Sequence, residues 1–348
     1  MRTTGSAPLG GMDVSRLKVA VVGCGGAATG HALGLANLAD FEIVALVDPS
    51  ERNLASFRTR VPAVADVPAY ADVEQLYDAG VEVEALTVVT PHTLHHPIVM
   101  GAIKRNLHVL CEKPLTCDPA HAREIEAAAA TAGVTVMVRY QRRFDPAYRY
   151  MRDVIASGEL GELRSIMVSV GQRWLKNTVG TWRQDPALSG GGMLMDSGSH
   201  LADMLLWLVG KPVETVSALV DNAGSPVDIN TSATVSFAGG VQGQLHVVGD
   251  LATTWMENVA VSGTNGLLRY EADPQHPWRT GKVTHYRGDE LVQPVNLPEP
   301  PEIHEALLAS IRGEAVNEAP PAAGIAVAEL SEAIYRSAGE GGARVSVR

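Results

Sequence analysis

The stretch that most constrains the fold is Lys18-Val19-Ala20-Val21-Val22-Gly23-Cys24-Gly25-Gly26-Ala27-Ala28. Its first five residues form a nearly unbroken β-prone run, the pattern of a strand central to a parallel sheet covered on both faces. A Gly-rich turn follows, then a helix. Gly23 permits a tight turn, Gly25 leaves room for a pyrophosphate against the backbone, and Ala28 is small enough for close helix–strand packing. The helix start at Gly26, Ala27 and Ala28 would point free N–H groups and partial positive charge at phosphates. A second apolar run, Glu42 to Val47, ends in Asp48. An acid there can accept hydrogen bonds from the adenosine ribose hydroxyls. The alternative is a tight strand–helix turn with no ligand, and the second run weighs against it.

At 348 residues the chain is longer than one typical core, so two domains are expected. A formal net charge of −11 argues against a nucleic-acid partner. Cys24, Cys111 and Cys117 show no zinc-type pairing and suit a reducing cytoplasm better than a disulfide scaffold. Residues 1–16 read as a flexible polar tail without the apolar core of a signal peptide, and no run is long enough to span a bilayer.

From residue 17 to 138, strand and helix alternate. Strands are expected at Lys18–Val22, Glu42–Val47, Ala85–Val89, His108–Cys111 and Val134–Val138, and helices at Gly26–Leu38, Val73–Asp78, Leu94–Lys104 and Pro119–Ala132. Alternation of this kind predicts a parallel sheet with its ligand at the strand C-termini. From 139 to 348 the texture changes. A helix opened by Asp145-Pro146 leads into seven strand candidates between Leu163 and Tyr286. They are interrupted by one helix, about Met195 to Leu208, and followed by helices near Glu302–Arg312 and Gly324–Ser337. The fold class is therefore α/β: a dinucleotide-binding domain, then an α+β domain with a large, mostly antiparallel open sheet.

Three clusters carry chemistry. Cys111-Glu112-Lys113-Pro114 stands at a strand C-terminus, where a lysine aimed into a cleft can hold or relay a hydroxyl proton; a surface salt bridge before a turn-forming proline is the alternative. Glycines 190–192 lead into Asp196 and His200 at i and i+4 on one helix face, where His200 can accept a proton and Asp196 can orient a hydroxyl. A capping Asp and a core-packed His, or a metal held with Asp203, are the competing readings, and no metal is expected. Thr90-Pro91-His92 and His95 follow a strand, where Thr and Pro can line a nicotinamide site.

Together these residues resemble the glucose-fructose oxidoreductase / inositol dehydrogenase / MocA (Gfo/Idh/MocA) family. The resemblance rests on the Gly-rich turn, Asp48, Thr90-Pro91 with His95, Cys111-Glu112-Lys113-Pro114, Arg142-Arg143-Phe144-Asp145-Pro146, Trp182-Arg183, and Gly191-Gly192 followed by Asp196-x-Gly198-x-His200, and it covers nearly the whole chain. It implies a Rossmann domain, a C-terminal domain whose open sheet makes a dimer or tetramer face, and a nicotinamide-dependent oxidoreductase of sugars or cyclitols. By that resemblance Lys113, Asp196 and His200 are catalytic, while Trp182 and Arg183 stand beside the cofactor with Thr90, Pro91, His92, His95 and Glu112. His92 departs from the family's frequent asparagine after Thr-Pro.

The expected reaction moves a hydride between a secondary alcohol and NAD, with His200 as base and Lys113 on the substrate oxygen, although the two can exchange these roles. Arg143 and Trp174 join Lys113, Asp196 and His200 as expected substrate contacts. The acidic Asp48 surroundings favour NAD over NADP, with Arg52 the one nearby cation that opposes this. A homo-oligomer is expected through a sheet face bearing Ala218, Val220, Val247 and Val248. The readings from other classes are an NAD-dependent glycoside hydrolase on the same fold and a dinucleotide sensor without chemistry.

Overall fold

The computed structural model describes residues 16–276, 280–293 and 295–347. All of the expected tail but Arg16 lies outside the described residues. Two compact units follow one another, the first ending at Ala85 and the second beginning at Leu86.

The first unit runs β1 (Leu17–Val22), α1 (Gly26–Ala36), β2 (Phe41–Val47), α2 (Glu51–Arg60), β3 (Ala69–Tyr70) and α3 (Val73–Asp78). β1 pairs with β2 and β2 with β3, all parallel. Val19, Ala20, Val21 and Val22 are all buried, as a strand covered on both faces requires. Helix α2 escaped the sequence reading. Phe57 is its only buried residue, so it lacks an apolar stripe, and the Ser50 cap on Asn53 N (3.2 Å) marks its start instead.

The second unit begins within β4 (Ala85–Val88). It continues through α4 (His95–Ile103), β5 (His108–Cys111), α5 (Pro119–Ala132) and β6 (Val136–Val138). The first unit's strands lie in the order β3-β2-β1 and the second's in the order β4-β5-β6, the strand order of a Rossmann-type parallel sheet.

After it come α6 (Pro146–Ala156), β7 (Leu163–Gln172), α7 (Trp174–Asn177), α8 (Pro186–Ser189) and α9 (Ser199–Val209). Then follow β8 (Val213–Asp221), β9 (Asn230–Phe237), β10 (Gln242–Val248), β11 (Trp255–Gly263), β12 (Gly266–Glu271), β13 (Lys282–Arg287) and β14 (Glu290–Leu291). The chain closes with α10 (Ile303–Ile311), α11 (Pro321–Gly339) and β15 (Val345–Ser346). The nine strands β7 to β15 form one sheet in the order β14-β13-β12-β11-β7-β10-β9-β8-β15. Its pairs are antiparallel except β7 with β10.

Residues alternate across this sheet. α9 packs on β7 and β10, and α11 packs on β8. The face away from these helices carries cross-strand rows such as Leu219, Ser232, His246, Ser169, Asn258 and Glu271. The expected apolar patch is corrected here. Ala218 and Val247 are buried on the helix side, while Val220 and Val248 are half-buried. Adjacent residues such as 247 and 248 cannot share a face in a period of two, so the open face is mainly Ser, Thr, Gln and Asn with Met167 and Leu219 exposed among them. Among the described residues no helix is long and apolar enough to cross a membrane.

Candidate active site

In the first unit, Gly23 takes a φ of +92°, a conformation that favours glycine, and its N–H donates to Val47 O at 2.7 Å. A Cβ at Gly25 or Gly26 would meet nothing within 4 Å, so packing within the protein does not demand glycine there. Gly25 stands at the N-cap of helix α1 and supplies no side-chain hydrogen bond to it. Open space before an uncapped helix start fits a phosphate approaching the backbone, as dinucleotide binding requires.

Asp48 is buried and already engaged. Its carboxylate accepts from Cys24 N (2.9 Å), Ser50 N (2.8 Å) and the Asn53 amide (3.2 Å to each oxygen). A carboxylate has about four acceptor sites, so a ribose hydroxyl here would share with or displace Asn53. Arg52 is exposed on α2 and makes no hydrogen bond to the turn. Arg60 does, donating to Thr29 Oγ1 (2.9 Å), Gly25 O (3.3 Å) and Cys24 O (3.4 Å). The cation that opposes the acidic turn is therefore Arg60, which α2 carries back to it, rather than Arg52.

In the second unit, β5 delivers Glu112 and Lys113 at its C-terminal end. Lys113 Nζ donates to Asp196 Oδ1 at 2.7 Å and to Asp196 O at 3.1 Å. The other carboxylate oxygen accepts from Trp174 Nε1 (2.8 Å) and Arg183 Nε (2.9 Å). His92 Nε2 stands 3.8 Å from Oδ1. Burial alone would raise the Asp196 carboxyl. Lys113, then Arg183 and His92, hold it well below the usual carboxylate range, so it stays ionised. Trp182 meets the His92 ring edge-on at 4.8 Å, and Arg183 lies over Trp182 at 4.5 Å.

Asp196 does not sit in a regular α-helix as expected. It lies in a turn of π-helix, Leu194–Gly198, that precedes α9. The wider turn leaves the carboxylate hydrogen-bonded to Lys113, Trp174 and Arg183 rather than to His200. His200 is buried on α9, and its Nδ1 has no partner among the described residues. Burial, then Arg142 and Lys113, push its pKa well below the ordinary imidazole value, while Glu112 opposes. The ring is neutral at pH 7 and able to accept a proton.

His92 and His95 are joists. His92 Nδ1 meets Ser189 O at 2.9 Å, and burial pushes its pKa down to about 3. His95 bridges Pro114 O (2.8 Å) and Thr90 O (3.0 Å), tying the loop after β4 to the turn after β5. Glu112 pairs with Arg139 at 3.2 Å.

Arg143 is corrected. It donates to Asp203 at 2.6–3.2 Å and to Glu318 O at 2.7 Å, between the rings of Tyr140 and Trp207. Arg143 and Asp203 are both buried, so Arg143 stands as an interior strut with Asp203 as its counter-ion. Among the described residues no group of three His, Cys, Asp or Glu side chains could hold a metal ion.

The neighbouring Arg142 is the residue that bears on His200. Its guanidinium is ion-paired to Glu257, with Nε to Oε1 at 2.6 Å, beside the Trp255 ring, and Tyr148 Oη donates to the same oxygen at 2.7 Å. Nothing near Arg142 in the sequence announces Glu257, which arrives from β11.

A family model described as an oxidoreductase family with an NAD-binding Rossmann fold matches residues 17–140, and a GFO/IDH/MocA C-terminal domain model matches residues 148–269. The 1,5-anhydro-D-fructose reductase of Ensifer adhaerens is 30% identical over 290 residues, 81% of this chain and 83% of that protein. Inositol 2-dehydrogenase 4 of Saccharopolyspora erythraea is 26% identical over 283 residues, 80% of this chain and 78% of that one. The crystal structure of GenD2 from gentamicin A biosynthesis, in complex with NAD, superposes with a TM-score of 0.81 at 27% identity, covering 99% of this chain and 100% of that one.

Proposed function

The chain belongs to the Gfo/Idh/MocA family of oxidoreductases, and from that membership we propose that it interconverts a secondary hydroxyl and a ketone on a sugar, cyclitol or sugar derivative, using NAD. The observation that carries this reading is the grouping in the second unit. An ionised Asp196 grips the Lys113 ammonium, and a buried, neutral His200 stands among the same charges with an unpartnered Nδ1.

A bound nicotinamide would take up the hydrogen that leaves the carbinol carbon with its electron pair. Everything else falls to the chain. Lys113 donates a hydrogen bond to the substrate oxygen and stabilises the negative charge that develops there. His200 takes the hydroxyl proton. Asp196 keeps the Lys113 Nζ aimed through two of its oxygens. Trp174 and Arg183 fix the Asp196 carboxylate, so the donors need no reorganisation during the reaction. Gly23 to Ala28 and Asp48 would receive the pyrophosphate and adenosine, and Thr90, Pro91, His92, Glu112 and Trp182 the nicotinamide side. Asp48 favours a free ribose hydroxyl over a 2′-phosphate. The three free cysteines support a cytoplasmic setting.

A panel of sugars, cyclitols and sugar nucleotides, run with NAD and with NADP and followed by the absorbance of the reduced nicotinamide, tests this reading. Turnover of at least one member, faster with NAD, is expected. NAD binding without turnover of any member would leave the sensor reading instead. Equal or better rates with NADP would overturn the assignment of Asp48.

The protein is further read as a homodimer or homotetramer built on the open face of the nine-stranded sheet. Cross-strand rows of mainly polar side chains with Met167 and Leu219 exposed among them make a face suited to a second copy. Light scattering at micromolar concentration is expected to give at least twice the chain mass, and a monomer would refute the assembly.

A further inference from the structure

We infer that Asp228 and Tyr335 are positioning residues for the reaction: together they lock the turn that carries Asp196 and leads into the helix of His200, and so set where the Lys113 ammonium stands. The inference rests on the reaction proposed above and adds to it two residues remote in sequence from every motif.

Asp228 lies between β8 and β9. Its carboxylate Oδ1 accepts from Gly192 N at 2.6 Å and its Oδ2 from Leu194 N at 2.8 Å, while its main-chain oxygen accepts from Met193 N at 2.9 Å. Three consecutive N–H groups at the start of the helical stretch, which otherwise lack intrahelical partners, are thus satisfied by one residue. Tyr335, on α11, donates its hydroxyl to Asp228 Oδ1 at 2.6 Å and so ties the carboxylate to a second element. Burial and the adjacent Asp228 hold the Tyr335 phenol well above its ordinary pKa, which keeps it a donor.

The fit leaves no slack. A Cβ at Gly192 would sit 1.9 Å from Asp228 O, and one at Gly191 would sit 2.6 Å from Tyr335 Oη. Gly191 and Gly192 are therefore explained by this clamp, while Gly190 takes a φ of +67° against Cys117. Its effect reaches the reacting groups within a few bonds. Asp196 N donates to Gly192 O at 2.9 Å, and Asp196 supplies both oxygens that hold Lys113 Nζ. A shift of the 192–194 backbone moves the carboxylate and the carbonyl that aim the ammonium. Misplacement of a reacting group by about 1 Å is enough to cost a hundredfold in rate.

The test compares Tyr335→Phe, which removes one hydroxyl, and Asp228→Asn, which keeps one acceptor oxygen, with Val327→Ala, a cavity variant in the buried core side of α11. Each full-length variant is assayed for kcat, for NAD affinity and melting temperature, and for the rate at which acetic anhydride labels Lys113. The two clamp variants are expected to lower kcat about tenfold or more, to leave NAD affinity within about twofold, and to label Lys113 several times faster. Val327→Ala is expected to lose melting temperature while keeping kcat and Lys113 labelling at the parental level. Rates that track melting temperature across all three variants, with unchanged labelling, would overturn the inference. If the parent oxidises no substrate, the proposed reaction fails, and Lys113 labelling alone still decides whether the clamp sets the lysine.

Discussion

Lys113→Ala and His200→Ala are each expected to lower kcat by at least about a hundredfold, the scale of a lost general acid–base group, with NAD affinity little changed. Lys113 enters from the end of β5 and is held by two oxygens of Asp196. Its removal would delete the proposed donor to the substrate oxygen and leaves the buried Asp196 with Trp174 and Arg183. His200 loses nothing structural of that kind, because its Nδ1 bonds to no described residue. His200→Ala is therefore the cleaner test: its melting curve should stay near the parent while turnover collapses. The pH profile adds a sign. Burial and the nearby Arg142 and Lys113 place the folded imidazole below its ordinary value, so the ring is neutral above that value. Turnover should then hold level as pH falls from 8 to about 6.5, the ordinary imidazole pKa, and decline only below it. A well-folded His200→Ala protein with near-parental turnover would refute the assignment of the base.

Asp196→Ala is expected to cost at least as much as either, and Asp196→Asn less, measured as kcat alongside the melting temperature. The carboxylate is the meeting point of Lys113, Trp174, Arg183 and His92. Alanine leaves Lys113 and Arg183 without their shared counter-charge. Asparagine keeps one oxygen for Lys113 or for Arg183 but turns an N–H donor toward the other. The charge itself is secure over the working range. The folded carboxyl is held well below its ordinary value of about 3.9, so its contribution to stability is complete above that value and fades as pH falls through the lower folded one. No activity limb near neutral pH should trace to it. Equal kcat for Asp196→Asn and the parent would show that neither its charge nor its second acceptor matters.

The parts of this molecule legible in the sequence are those carried by local pattern. The β1 run, the Gly23 turn and the Cys111–Pro114 edge were placed within a residue or two, because apolar periodicity and Gly or Pro punctuation are local signals. α2 was not legible, since Phe57 is its only buried residue and no apolar stripe marks it, and with it went Arg60. The Asp196–His200 pairing was read with α-helical spacing. The π-turn overrode that spacing because Asp228 and Tyr335, from 32 and 139 residues downstream of Asp196, fix the turn's start. Arg142 and Arg143 show the same limit. Adjacent arginines look alike in a sequence, and only Asp203 on one side and Glu257 on the other decide which becomes a strut and which faces the site.

Strand β11 is one backbone thick, and Glu257 and Asn258 point through it in opposite directions. Glu257 steadies the Arg142 that bears on His200, while Asn258 belongs to the open face and pairs with Ser169. The two surfaces therefore share a single plank. A bulkier residue at Asn258 is expected to shift the β11 backbone and with it the Glu257 carboxylate on the other face. Substitutions at position 258 are therefore expected to be felt at Arg142 through the adjoining Glu257, although the Asn258 side chain lies on the opposite face of the strand.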